Sequence, residues 1–201
     1  HEAGSAMAAA CADAGRKVLK VGRVGDAVHM AITARHATGL NVAIEIDGAR
    51  HDVALPLIGD FQKENLTLAL GMAQAAGMDS AIMLEACRDL QAPRGRMQLA
   101  GRTFEGAAVF VDYAHTPDAL KNALTALRRH LPEGGRLHVM FGCGGDRDTG
   151  KRPEMGAVAA NHADMVFVTD DNPRHEDPAD IRATIMATCP NATEIGDRGA
   201  A

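Results

Sequence analysis

The chain has 201 residues, of which 21 are basic and 26 acidic, giving a formal charge of −5, and 46% are hydrophobic. That balance belongs to a folded globular chain and excludes a disordered tail, a collagen-like repeat and a disulfide-packed miniprotein. The net negative charge, with 3% aromatic residues and no Trp, argues against nucleic-acid binding, which needs clustered cations and stacking platforms.

Residues 1–15 predict an Ala-rich helix stopping near Gly15, followed by a short strand from Lys17 to Val21. Alternating runs over Val28–His36 and Asn41–Ile46 predict two more strands. Asp47-Gly48 then separates the second run from a third, His51–Leu55, and Asp-Gly there signals a tight hairpin. Pro56 breaks the sheet. From Phe61 to Ala76 the apolar residues Leu66, Leu70, Ala73 and Ala76 recur at helical spacing, and Gly77 sits where a helix would end. A second helix spans Ser80–Leu90, and Ala92-Pro93-Arg94-Gly95 reads as a linker between domains.

Beyond the linker, strand Ala107–Val111 leads through Asp112-Tyr113-Ala114-His115 into Thr116-Pro117, an N-cap followed by a favoured first helical residue. That helix runs to about His130. Strand Leu137–Phe141 enters Gly142-Cys143-Gly144-Gly145-Asp146-Arg147, and a helix begins near Pro153. Strand Met165–Thr169, the loop Asp170-Asp171-Asn172-Pro173-Arg174, a helix over Pro178–Thr188 and a strand near Thr193–Ile195 complete the chain. Alternating strands and helices predict right-handed crossovers and a mostly parallel α/β sheet, whose ligands bind at the carboxyl ends of the strands. The three polar loops all fall at such ends.

Cys11, Cys87, Cys143 and Cys189 are far apart and form no CxxC pair, as expected of reduced thiols in a cytoplasmic protein. No apolar run approaches the roughly 20 residues that span a bilayer. His29, His36, His51 and His138 show no metal-ligand spacing and are expected on strands or surfaces. The start, His1-Glu2-Ala3-Gly4-Ser5, carries neither an initiator Met nor a signal pattern, so the chain is expected to be part of a longer protein.

Each polar loop admits a chemical and a bland reading. In Gly142–Arg152, glycines let backbone amides approach an anion, and Arg147, Lys151 and Arg152 add positive charge. Arg152 stands where a GxxxxGK[ST] phosphate loop would have Ser or Thr, so the match is incomplete; the bland reading is a strand-to-helix loop with solvated charges. Asp170-Asp171-Asn172-Pro173-Arg174 could hold a ligand carrying both ammonium and carboxylate, or be an ordinary Asx-Pro turn. Asp112 could hold a ribose hydroxyl pair, and His115 could meet phosphate or merely cap its helix.

Taken together, VDYAHTPDAL (111–120), FGCGGDRDTGKRPEMG (141–156) and TDDNPR (169–174) resemble the Mur ligase family, and within it the members that add diaminopimelate. Residues 1–92, including Ile58-Gly59-Asp60-Phe61 and Asn65, resemble the end of the family's central ATPase domain, truncated. Residues 93–201 resemble most of its Rossmann-like, mostly parallel-sheet C-terminal domain, lacking the C-terminal end.

The resemblance implies an ATP-dependent amide ligase of peptidoglycan synthesis. ATP would phosphorylate the glutamyl carboxylate of UDP-N-acetylmuramoyl-L-alanyl-D-glutamate, and the amine of meso-diaminopimelate would displace phosphate. Asn65 would contact adenine, Arg96 and Asp112 the ribose, and Tyr113 the nucleotide. Lys151 and His115 would be the catalytic pair near the γ-phosphate and acyl phosphate. Arg147, Asp171, Asn172 and Arg174 would bind diaminopimelate, with Arg174 reading the second carboxylate that lysine lacks.

Departures accompany the resemblance. The family's ATP loop, most groups that hold Mg2+, and the domain gripping the UDP-sugar are expected upstream. A Gly-x-x-x-Glu segment is expected downstream, and Gln62 stands where the family has Asn. Residues 1–201 alone are therefore expected to lack ligase activity. A lysine-adding Mur ligase, a related polyglutamate ligase and a non-catalytic nucleotide or amino-acid binding module remain the alternatives; Arg174 stands against the first and TDDNPR against the second.

Overall fold

The computed structural model describes residues 2–201. The chain divides into two compact units, one of residues 2–35 and 39–90 and the other of 36–38 and 91–201.

The first unit opens with α1 (Glu2–Asp13) and contains a three-stranded sheet in the order β1 (Val28–His36), β2 (Gly39–Ile46), β3 (Ala49–Leu55). The β2–β3 hairpin forms because Asp47 and Gly48 both take positive φ, 52° and 74°, the turn geometry that matches strand twist. The turn sets an antiparallel register, Ile46 against Ala49 and Leu40 against Leu55. Leu40, Val42, Ile44 and Ile46 then share one face and are all buried, as period-2 alternation requires. Two helices follow, α2 (Phe61–Ala75) and α3 (Ser80–Arg88). α2 buries Leu66 and Leu70, while α3, capped by the Asp79 carboxylate on Ala81 N, buries Met83, Leu84 and Cys87.

The strand expected over Lys17–Val21 is absent. Only Val21 makes an isolated bridge, parallel to Val28, because a lone extended segment without a paired neighbour forms no ladder.

The second unit carries β4 (Gln98–Arg102), β5 (Ala108–Val111), α4 (Pro117–Arg128), β6 (His138–Phe141), α5 (Lys151–His162), β7 (Met165–Val168), α6 (Pro178–Met186) and β8 (Thr193–Glu194). Strands β6, β7 and β8 form a parallel sheet in sequential order, the βαβ arrangement in which a helix spans each crossover. Each helix contributes an i, i+4 pair to the core beneath it: Leu120 and Leu124, Met155 and Ala159, Ile181 and Ile185. One such fully buried aliphatic side chain stabilises the fold by about 1.5–3 kcal/mol.

Two expectations change here. The strand at Ala108–Val111 is not in a parallel ladder; it pairs antiparallel with β4 in a separate two-stranded ribbon. Gly101 and polar Gln98 and Arg102 hide β4 from a hydrophobic pattern, and the ribbon closes through Thr103, whose N–H donates to Ala107 O at 2.9 Å. α5 begins at Lys151, two residues before Pro153, because proline is tolerated within the first helical turn. Lys151 and Arg152 therefore belong to the helix rather than to the loop.

Candidate functional site

Three loops, each following a strand of the second unit, bring the polar clusters into contact. The first follows β5. Asp112 uses both carboxylate oxygens on backbone amides, accepting from Met97 N and Ala114 N, each at 2.9 Å. Asp112 thus shapes the chain around it, joining the 95–97 turn to the start of the α4 approach. Tyr113 N donates to Gly95 O at 2.7 Å, reinforcing the same junction. The exposed Tyr113 ring has the Arg96 guanidinium 5.7 Å from its centroid and the His115 ring 5.0 Å away. These three side chains form an open platform on which a planar group can stack.

His115 is not the cap of α4; Thr116 is, its hydroxyl accepting from Ala119 N at 3.2 Å. His115 Nδ1 lies 3.0 Å from Tyr113 O. A carbonyl only accepts, so Nδ1 carries the proton and Nε2 is the acceptor in the neutral ring. The His115 carbonyl in turn accepts from Lys151 Nζ at 2.9 Å. That bond ties the first loop to the start of α5 across 36 residues.

The second and third loops, 142–150 and 169–177, are clamped to one another. Gly145 N donates to Asn172 O at 2.9 Å, and Arg174 Nη1 donates to Gly145 O at 2.5 Å. A Cβ at Gly145 would fall 1.9 Å from Pro173 O, and one at Gly142 would fall 2.2 Å from Thr169 O. These glycines are required by loop-to-loop packing. The expected role of presenting free amides to an anion is corrected at Gly145, whose N–H is already committed.

Arg152 is likewise not a solvated charge. It is 3% exposed and forks onto Glu176, with Nη1 to Oε2 at 2.8 Å and Nη2 to Oε1 at 2.7 Å. The Arg152 guanidinium, helped by the Asp146 N–H, holds the Glu176 carboxyl down at about 2, and Glu176 raises Arg152 in return. Burial pushes the Cys143 thiol up, against the pull of the Lys151 and Arg152 charges, so it is a core thiol and not a nucleophile.

Of the residues singled out in the sequence, nine lie on these three loops or their flanks: Arg96, Asp112, Tyr113, His115, Arg147, Lys151, Asp171, Asn172 and Arg174. Arg147 and Asp171 are exposed and make no hydrogen bond or ion pair among the described residues. Asn172 Oδ1 accepts from Arg174 N at 3.3 Å. Asn65 belongs to the first unit, exposed on α2, with Nδ2 3.4 Å from Gln62 Oε1. A hollow of about 500 Å³ in that unit, lined by Leu19, Val21, Leu68 and Met72, holds none of the singled-out residues.

Glu176, which sequence reasoning missed, organises more of the site than any other carboxylate. The only signal for it was its place two residues beyond DNPR, in a stretch, His175-Glu176-Asp177, that reads as surface charge. Among the described residues no three His, Cys, Asp or Glu side chains gather as a metal site, and no helix is long and apolar enough to cross a membrane.

The Mur ligase, glutamate ligase domain, matches residues 95–201. The UDP-N-acetylmuramoyl-L-alanyl-D-glutamate–2,6-diaminopimelate ligase of Caulobacter vibrioides is 48% identical over 195 residues, 97% of this chain and 40% of that protein. A solved structure of a ligase with the same name is 37% identical, with a TM-score of 0.65, covering 88% of this chain and 36% of the other. The folylpolyglutamate synthase of Thermotoga maritima, 19% identical, shares the fold with a TM-score of 0.69 over 85% of this chain and 40% of its own. The chain thus spans about two-fifths of the length of the curated relatives it matches.

Proposed function

The chain belongs to the Mur ligase family through its glutamate ligase domain, and from that premise we propose that the protein containing it joins meso-diaminopimelate to UDP-N-acetylmuramoyl-L-alanyl-D-glutamate at the expense of ATP. The observation that carries the reading is the Lys151 Nζ bond to the His115 carbonyl, which gathers a cation and an imidazole beside the loop bearing Arg174. Phosphoryl transfer to a carboxylate, followed by attack of an amine, needs positioned reactants and neutralised phosphoryl charge. Lys151 supplies the charge, and His115 offers Nε2 as acceptor or, protonated, as donor. The Arg96–Tyr113 platform suits the nucleoside, and Asn65 is assigned to adenine on the family resemblance alone. Asp112 can still accept from ribose hydroxyls through its second lone pairs, in addition to the amides it holds.

Arg147, Asp171, Asn172 and Arg174 make the diaminopimelate subsite. Arg174 spends one donor on Gly145 O and keeps others for a ligand carboxylate; Asp171 and Asn172 offer oxygens to an ammonium. Mg2+ would be held mostly by groups upstream of these residues and would help neutralise phosphoryl charge. By the same reading, the ligase works in the cytoplasm in cell-wall synthesis, and residues 1–201 alone do not turn over.

The test is phosphate release by the full-length protein, expected only when ATP, the UDP-sugar dipeptide and diaminopimelate are all present. Lys151→Ala should lower kcat by about 10²–10³-fold, as removal of one transition-state donor does. Ligand binding that survives Lys151→Ala and His115→Ala, with no turnover by the wild type, would replace this reading with a binding module. Turnover by residues 1–201 alone would overturn the claim that the remainder of the protein is needed.

A further inference from the structure

Arg152 and Glu176 contact none of the groups assigned to substrates, yet they hold a single peptide unit in place. The Gly145–Asp146 peptide is gripped at both ends by the loop that follows β7. Its carbonyl accepts from Arg174 Nη1 at 2.5 Å, and its N–H donates to Glu176 Oε1 at 2.5 Å. The Arg152 fork anchors Glu176 to the first turn of α5, and the Arg152 side chain is only 4% exposed. Asp146 and Arg174 both sit in the left-handed region, with φ of 52° and 50°. Residues other than glycine stay there only when surrounding bonds hold them. The Asp146 carboxylate adds one such bond, to His175 Nδ1 at 2.6 Å.

We propose that Glu176 is a positioning residue for Arg174, acting through the Gly145–Asp146 peptide and fixing which way the Arg174 guanidinium faces its ligand carboxylate. A carboxylate only accepts, so it selects the peptide orientation that turns N–H toward itself and C=O toward Arg174. The opposite orientation would set a carbonyl against Glu176 and leave Arg174 without its anchor. Lys151 is tied separately, to His115 O, so loss of Glu176 should disturb the amino-acid side more than the nucleotide side. The inference rests on the reading of Arg174 as the group that recognises the second carboxylate of diaminopimelate.

The experiment uses the full-length ligase with Glu176→Gln, which keeps the size of the side chain, and Arg152→Lys, which keeps the charge but loses the fork. Both variants should raise KM for diaminopimelate by about tenfold, within the coupling range of residues in contact, and narrow its preference over lysine. KM for ATP should stay within about twofold. In an Arg174→Ala background, Glu176→Gln should add little further.

Equal rises in both KM values, or full additivity with Arg174→Ala, would overturn the proposal. The Arg174 Nε–H resonance and hydrogen exchange at the Asp146 amide provide a readout independent of turnover. Both should change in Glu176→Gln, and an unchanged Arg174 signal would also overturn it. A wild-type protein that fails to ligate would count against the functional reading alone, since the resonance still decides the positioning.

Discussion

Each unit contains an arginine forked onto a carboxylate. In the first, Arg35 at the end of β1 meets Asp60 before α2 with two bonds of 2.9 Å. In the second, Arg152 meets Glu176 with bonds of 2.8 and 2.7 Å. The chemistry is the same, but side-chain exposures are 35% and 29% for the first pair and 4% and 30% for the second. The Arg35 pair joins a strand to a helix at the surface, where water competes and the net stabilisation is small. The Arg152 pair has lost that competition on its cationic side, and its carboxylate also takes a backbone N–H. The surroundings, and not the pairing itself, turn an ion pair into a device that orders loops.

The sharpest way to break the second arrangement without touching its charges is Gly145→Ala. The new Cβ would strike Pro173 O, so the loops must part, and destabilisation of about 3 kcal/mol is expected in denaturant melts. A cost within experimental error would show that the loops are not in contact in solution. If the proposed reading holds, Arg174→Ala in the full-length protein should cost about 1.5–3 kcal/mol in diaminopimelate binding, and much less for lysine. Equal losses would mean that Arg174 does not read the second carboxylate. Arg152→Ala should cost about 2 kcal/mol of stability, because a buried cation, its fork and its packed stem all disappear. Arg35→Ala should cost about 0.5–1 kcal/mol. Similar costs for the two arginines would remove the contrast.

Acid tests the Arg152–Glu176 pair in another way. The Glu176 carboxyl lies at about 2 in the folded protein, below its ordinary 4.5. The stabilisation tied to that depression is therefore present above about 4.5 and is lost as pH falls toward 2. Asp164, lowered by Arg128 and by the Leu137 amide, also loses stabilisation on acidification. Glu176→Gln should flatten this acid limb in a pH series of melts, and an unchanged limb would assign it elsewhere. The smallest effect concerns thiols: Cys11 is exposed while Cys87, Cys143 and Cys189 are buried. A thiol reagent should label the native protein once, at Cys11, with the other three reacting only on unfolding.

Local patterns carried much of the fold. The Asp47-Gly48 hairpin, the Thr116-Pro117 helix start and the Gly77 stop are written in neighbouring residues, because turn and cap preferences act over a few positions. The strand β4 was illegible: Gly101 and its polar neighbours show no alternation, and its partner β5 is what makes it a strand. The isolated segment 17–21 shows the converse, a strand-like sequence without a ladder. At the site, residue types and their order pointed to the loops, while the use of each side chain stayed hidden. Asp112 holding two amides, Arg152 buried in a fork and Gly145 filled against Pro173 all depend on contacts between residues distant in the chain.

The sequence by itself determined the α/β alternation, the helix boundaries set by caps and glycines, and the three motifs that mark a Mur ligase, because each depends on residues close together in the chain. Only the tertiary structure decided that Gly142 and Gly145 pack against the loop after β7, that Arg152 faces inward, and that Glu176 grips the peptide supporting Arg174. Those assignments depend on which loops meet, and that is settled by the parallel register of β6 and β7, which lays residues 30 positions apart side by side.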